Sequence, residues 1–165
     1  MRSLGLDVGD KRTGVAISDP QGILATPLIV LASKDEDAVI DEILKLVEQY
    51  EAERVVVGLP RRLNGELGEQ AGKVTAFTEK LSLRAKRSNL NQLDVQMWDE
   101  RLSTKAAERL MQEAAGKGGK LRSRAKRKTK SHDSTAKVSV DAMAATFILQ
   151  GFLDSLRDKE QCQSI

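Results

Sequence analysis

The chain has 165 residues, enough for one domain that buries roughly two thirds of its unfolded surface without disulfides or metal staples. No stretch of eighteen apolar residues occurs and the first residues alternate like a strand, which argues against a membrane span and a secretory leader and for a cytoplasmic protein. The net charge of +3 conceals an asymmetry, because residues 117–130 carry eight cations and no acid against −5 for the remainder; such an arm fits a polyanion partner and equally a solvated lysine-rich loop.

In chain order, residues 2–8, 13–18 and 23–31 read as three strands joined by the turns "GDKR" and "DPQG", an antiparallel meander. "SKDEDAVIDEILKLVEQYEAE" follows as a helix, with Ser33 as its expected N-cap, acids in its first turn and Val39, Ile40, Ile43, Leu44, Leu46 and Val47 at helical spacing. The short apolar run "ERVVVGLP" suits a strand buried on both faces after a crossover helix. "RRLNGELGEQAGKVTAFTEKLSL" begins as a loop and becomes a helix with Ala71, Val74, Phe77 and Leu81 inward. "LDVQMWDE" is a fifth strand, and "STKAAERLMQEAAG" a helix capped by Ser103 or Thr104. Residues 116–136 have no apolar period and read as a mobile basic loop. "VSVDAMAATFILQGFLDSLRDK" closes the pattern with Val140, Met143, Ala144, Phe147, Ile148 and Gly151 on one helical face. The expectation is an α/β fold of order βββαβαβα, one domain over 1–156 with a polar tail over 157–165. Cys162 in that tail and His132 in the basic loop read as incidental.

Three acids occupy comparable places in this order. Asp7 interrupts the apolar first strand one pleat before a hairpin, Glu100 directly follows the fifth strand, and Asp141 lies in the first turn of the last helix, bordering Ala145, Ile148 and Phe152. Singly, each has a plain structural use: turn amides for Asp7, a solvated strand end for Glu100, the helix dipole for Asp141. With the first and fourth strands adjacent, the three converge on one edge of the sheet, where unpaired charge is costly and a divalent cation removes the cost. Hard oxygen donors without histidine or cysteine favour Mg2+ or Mn2+ over zinc. Asp10, Asp19 and Asp99 are weaker candidates, Asp10 because it lies in the turn and Asp99 because it points opposite to Glu100 if the strand persists.

Four motifs, "LGLDVGDKRTGVAISD", "VVVGLPRRLNGELGEQA", "WDERLSTKAAERL" and "KVSVDAMAATFILQGFLD", together closely resemble the YqgF family, also called RuvX, over nearly the whole chain. The resemblance implies a ribonuclease H-like fold with a mixed five-stranded sheet, and activity as a Holliday junction resolvase or as a nuclease maturing the precursor of 16S ribosomal RNA. It places the catalytic acids on Asp7, Glu100 and Asp141. It also puts Lys11, Arg12 and Arg101 beside the site, and the loop carrying Arg61 and Arg62 along the nucleic-acid groove. Two segments depart from the family pattern, "RAKRSNLNQ" and the "RAKRKTKSHDSTA" that contains Lys126, Arg127 and Lys128 of the basic arm.

The implied reaction is metal-assisted phosphodiester hydrolysis with two Mg2+ or Mn2+ ions roughly 3.5 to 4 Å apart, Asp7 bridging them. The implied partners are nucleic acid, as precursor ribosomal RNA or branched DNA, and ribosomal particles, for a monomer or homodimer. "DVGDKRTGVA" also resembles the first phosphate loop of actin-like and sugar-kinase ATPases, but such proteins need a second domain and a second glycine-rich loop that this chain lacks. A non-catalytic nucleic-acid-binding assembly factor on the same fold remains an open alternative.

Overall fold

The structure, a computed structural model, describes residues 1–60, 68–99 and 140–163. Five strands, β1 (Ser3–Val8), β2 (Arg12–Ser18), β3 (Ala25–Ala32), β4 (Arg54–Leu59) and β5 (Asp94–Asp99), form one sheet in the spatial order β3-β2-β1-β4-β5. The first three pair antiparallel, whereas β4 runs parallel to β1 and β5 parallel to β4. The expected meander, and the adjacency of first and fourth strands, are both present.

Local chemistry sets the connections. Between β1 and β2 the Gly9 N–H donates to the Arg12 carbonyl at 3.0 Å, closing a tight hairpin. After β2 the Asp19 carboxylate accepts the N–H groups of Ile23 (2.6 Å) and Leu24 (3.0 Å), and Gly22 takes the left-handed φ of 70° that this turn needs. Ile23 and Leu24 therefore belong to the turn, and the third strand begins at Ala25, two residues later than its apolar pattern suggests. Those same amides hold the Asp19 carboxyl below its ordinary range.

Helices α1 (Glu36–Gln49) and α2 (Glu69–Arg87) cover one face of the sheet. The N-cap of α1 is Asp35, whose carboxylate accepts the Asp37 N–H at 3.1 Å; the expected cap, Ser33, instead accepts the Asp35 N–H at 3.0 Å and shapes the entry one step earlier. Val39, Ile40, Ile43, Leu44 and Val47 of α1 and Ala71, Val74, Phe77, Leu81 and Ala85 of α2 pack against Leu4, Leu6, Val15, Val55 and Val57. Burial of each such Leu, Ile or Val contributes about 1.5–3 kcal/mol, so this layer dominates the core.

Helix α3 (Val140–Gln163) covers the opposite face, crossing β1, β2, β3 and β4, with Ala145, Ile148, Leu149, Phe152 and Leu153 against Ala16, Ala25 and Val56. It continues past the apolar pattern through the polar residues after 157. The helix and loop expected over 103–116 and 116–136 lie outside the described residues. Contact with the sheet is closest where the sheet has no side chain: a Cβ on Gly5 would stand 2.6 Å from the Leu149 Cβ and 2.9 Å from the Ala145 carbonyl. Gly5→Ala should thus cost about 1–3 kcal/mol by pushing α3 away. Gly72→Ala, in α2 with nothing within 4 Å of the new Cβ, should gain about 0.5–1 kcal/mol. Urea unfolding of the two variants checks both signs; a neutral Gly5→Ala would mean that the helix slides freely on the sheet.

Candidate active site

Strand alternation decides which acids meet. Leu4, Leu6 and Val8 of β1 pack into the α1–α2 layer, so Ser3, Gly5 and Asp7 face α3. Asp7 is the register partner of Gly14 on β2. Directly over Gly14 sits the backbone of Asp141, so close that a Cβ there would fall 1.9 Å from the Asp141 carbonyl oxygen. Asp7 and Asp141, from the two ends of the chain, are thereby neighbours on one face. The Asp7 carboxyl is held above its ordinary value of 3.8, first by burial and then by the charge of Asp141.

Arg12 shares the α3 side of β2 with Gly14, and its guanidinium stands 3.9 Å from the Asp141 carboxylate; their side chains are 66% and 35% exposed. This corrects the expected apolar surroundings of Asp141. Its side chain lies at the rim, preceded by the exposed Val140, while Ala142 and Ala145 take the buried positions of α3.

The competing acids lie elsewhere. Asp10 reaches from the hairpin toward α2, where the Lys73 ammonium is 3.4 Å away. Asp99 ends β5 on the side of Val95, which packs into the α1–α2 layer, while Trp98 faces α3 and meets Phe152 edge-on at 5.5 Å. Lys11 is exposed in the hairpin turn. Glu100, Arg61, Arg62, Arg101, Lys126, Arg127, Lys128 and His132 lie outside the described residues. Among the described residues no three His, Cys, Asp or Glu side chains gather as a metal-binding group, and the two carboxylates that meet are Asp7 and Asp141.

Gly14 was not singled out by sequence reasoning, although it sets the whole site. The available signal was a glycine within the strand "RTGVAIS", since an interior strand glycine marks close approach of another backbone.

A profile of the RuvX family, described as Holliday junction resolvase, matches residues 1–155. The chain belongs to the RuvX family. Consistent with that, it is 46% identical over 156 residues to a Clostridium novyi (strain NT) protein named "Putative pre-16S rRNA nuclease", covering 94% of this chain and 100% of that one. A Clostridium botulinum relative of the same name is 44% identical, with 94% and 98% covered. The structure of T. thermophilus RuvC in complex with a Holliday junction substrate aligns over 95% of this chain and 96% of that one, with a TM-score of 0.58 at 13% identity, a likeness of fold. The expected ribonuclease H-like architecture of a RuvX-family chain is therefore present. Among the described residues, no helix is long and apolar enough to cross a membrane.

The raised Asp7 carboxyl has a thermodynamic consequence in the metal-free protein. The folded chain keeps this proton to higher pH than the unfolded chain does, so stability from this group is full at acid pH and falls as the pH rises from the ordinary 3.8 through the folded value. Asp7→Asn should remove that fall, matching wild type at the acid end and exceeding it above the folded value. Chemical denaturation at a series of pH values measures the difference; an Asp7→Asn protein less stable than wild type at neutral pH would return Asp7 to a structural role.

Proposed function

We propose that this chain is a metal-dependent nuclease that hydrolyses phosphodiester bonds in structured nucleic acid, with the 5′ end of the 16S ribosomal RNA precursor as its substrate. The observation that carries the reading is the meeting of Asp7 and Asp141 across Gly14 on one face of the sheet. Two partly buried carboxylates of like charge oppose one another, and a divalent cation reverses that opposition. Their donors are all hard oxygens, which fits Mg2+ or Mn2+. Asp7 and Asp141 would hold the metal, with Glu100 as a third ligand in keeping with the resemblance. A pair of such ions, when bound, supplies an activated water and stabilises the departing oxygen.

Around that centre the chain's own cations bind and orient the strand. Lys11 and Arg12 stand at the rim, and Arg61, Arg62 and Arg101 would extend the contact along the groove. The run containing Lys126, Arg127 and Lys128 would add affinity for a polyanion in the cytoplasm, including ribosomal particles. The ribosomal substrate is favoured by the name of relatives at 44–46% identity over nearly their whole length. A second reading, branched DNA, is favoured by the description of the family itself.

The test incubates wild type and Asp7→Asn with precursor 16S ribosomal RNA and with a four-way DNA junction, with Mg2+, Mn2+ or a chelator. Cleavage of the RNA that falls at least about a hundredfold in Asp7→Asn or on chelation is the expected outcome. Junction cleavage alone would transfer the activity to DNA, and binding without cleavage in wild type and variant alike would make the chain a non-catalytic assembly factor.

Salt dependence tests the basic run separately. If about four of its eight cations reach phosphates, deleting 117–130 should flatten the log–log salt slope of single-strand binding by nearly 3, at about −0.7 per contact. An unchanged slope would assign the phosphate contacts to Lys11, Arg12, Arg61, Arg62 and Arg101.

A further inference from the structure

We propose that Arg12 is an exchangeable counter-ion: its guanidinium pairs with Asp141 while no divalent cation is bound, then yields the carboxylate to the cation and takes a phosphate oxygen of the nucleic-acid backbone. The inference rests on the metal site proposed above and adds to it an order of events. The backbone of Arg12 is fixed by the hairpin bond from Gly9 and by its register with Ala32 on β3, so only the side chain is free to change partner. At 3.9 Å the pair with Asp141 lies beyond hydrogen-bond distance, and the Arg12 side chain is 66% exposed. A solvated ion pair of that kind shifts an equilibrium by no more than a factor of about five, so a divalent cation displaces it readily.

Asp141 has less reach. Its backbone lies against Gly14 and its side chain is short, so its carboxylate stays in the neighbourhood of Asp7 whichever cation is present. What changes is the cation. An arginine released at the rim keeps its planar fork of donors and its charge, which match a phosphodiester bidentately. Lys73, another cation by the hairpin, is engaged with Asp10 at 3.4 Å and Glu69 at 3.5 Å on the α2 side. Arg12 is therefore the described cation placed to serve both anions in turn.

The experiment uses full-length wild type, Arg12→Ala, Arg12→Lys and Asp7→Asn. Mn2+ affinity is measured calorimetrically without nucleic acid. Affinity for a fluorescein-labelled single-stranded RNA is read by stopped-flow anisotropy before turnover, with and without Mn2+. Loss of the competing guanidinium should tighten Mn2+ binding about two- to fivefold in Arg12→Ala, while Arg12→Lys stays near wild type. RNA affinity of Arg12→Ala should be about twofold weaker than wild type without Mn2+ and about tenfold weaker with it, because the pair with Asp141 withholds Arg12 from phosphate by up to that factor of about five until the cation takes the carboxylate. Equal Mn2+ affinity in wild type and Arg12→Ala, or the same RNA deficit with and without Mn2+, overturns the exchange while wild-type Mn2+ binding that Asp7→Asn abolishes leaves the metal site standing. No Mn2+ uptake by wild type overturns both. Matching thermal melts confirm that the exposed substitutions leave the fold intact.

Discussion

The approach of the α3 backbone to the β1–β2 surface is the constraint on which the rest of the site depends. At Gly14 and Gly5 the sheet offers no side chain to the helix: the Asp141 carbonyl fills the space a Cβ would need at Gly14, and the Leu149 Cβ with the Ala145 carbonyl fills it at Gly5. Ala142 and Ala145 meet this surface with the smallest apolar side chain available. Contact at two points along β1 and β2 fixes both the rotation and the axial position of the helix. A slip of one turn, about 5.4 Å, would carry Asp141 away from Asp7 and change which residues of the helix meet Gly14 and Gly5. Local absence of side chains thus places two acids that lie at opposite ends of the chain.

The sheet separates this arrangement from the bulk of the core. Large aliphatic side chains of β1, β2 and β4 are directed to α1 and α2, where Leu4, Leu6, Val15, Val55 and Val57 are all fully buried. The α3 face is furnished with smaller groups, Gly5, Gly14, Ala16 and Ala25 among them. Stability is concentrated on one face, and the crowded carboxylates are confined to the other. A like-charge pair at the edge of the thinner layer can persist because the thicker layer carries the fold. Asp7 is held above its ordinary value, first by burial and then by the charge of Asp141, and ionisable groups held in this way cluster at functional sites.

Much of this was legible in the sequence, for reasons that particular residues make plain. Leu4, Leu6 and Val8 establish a period of two, and Asp7 falls on the opposite face by necessity. The apolar spacing from Val39 to Val47 marks α1, and a helix between strands implies the crossover that brings β4 beside β1. Other features were not legible, because the deciding partner is remote or competes locally. The third strand starts late because a carboxylate at Asp19, not a neighbouring strand, satisfies the amides of Ile23 and Leu24. Ser33 and Asp35 are both good caps, and only the realised backbone distinguishes them. The pairing of Arg12 with Asp141 needs the placement of α3 over Gly14, a tertiary fact that no window of sequence contains.

The direction of the strands explains where the chemistry collects. The carboxyl ends of the parallel strands β1, β4 and β5, at Val8, Leu59 and Asp99, lie on one edge of the sheet, and antiparallel β2 begins at that same edge with Arg12. The segments leaving this edge are the hairpin with Lys11 and the two stretches of chain that follow Pro60 and Asp99. Loops at the carboxyl ends of strands can vary without disturbing the buried rows behind them, so a fixed pair of acids can be served by different rims. The family description names a Holliday junction and the relatives' name an RNA precursor, yet both attach to a chain whose described residues form one sheet with Asp7 and Asp141 together on one face. On the proposed reading, hydrolysis of a phosphodiester asks only for placed oxygens and cations, and discrimination between nucleic acids would then reside in the rim, where Arg12 is the described cation within 4 Å of Asp141.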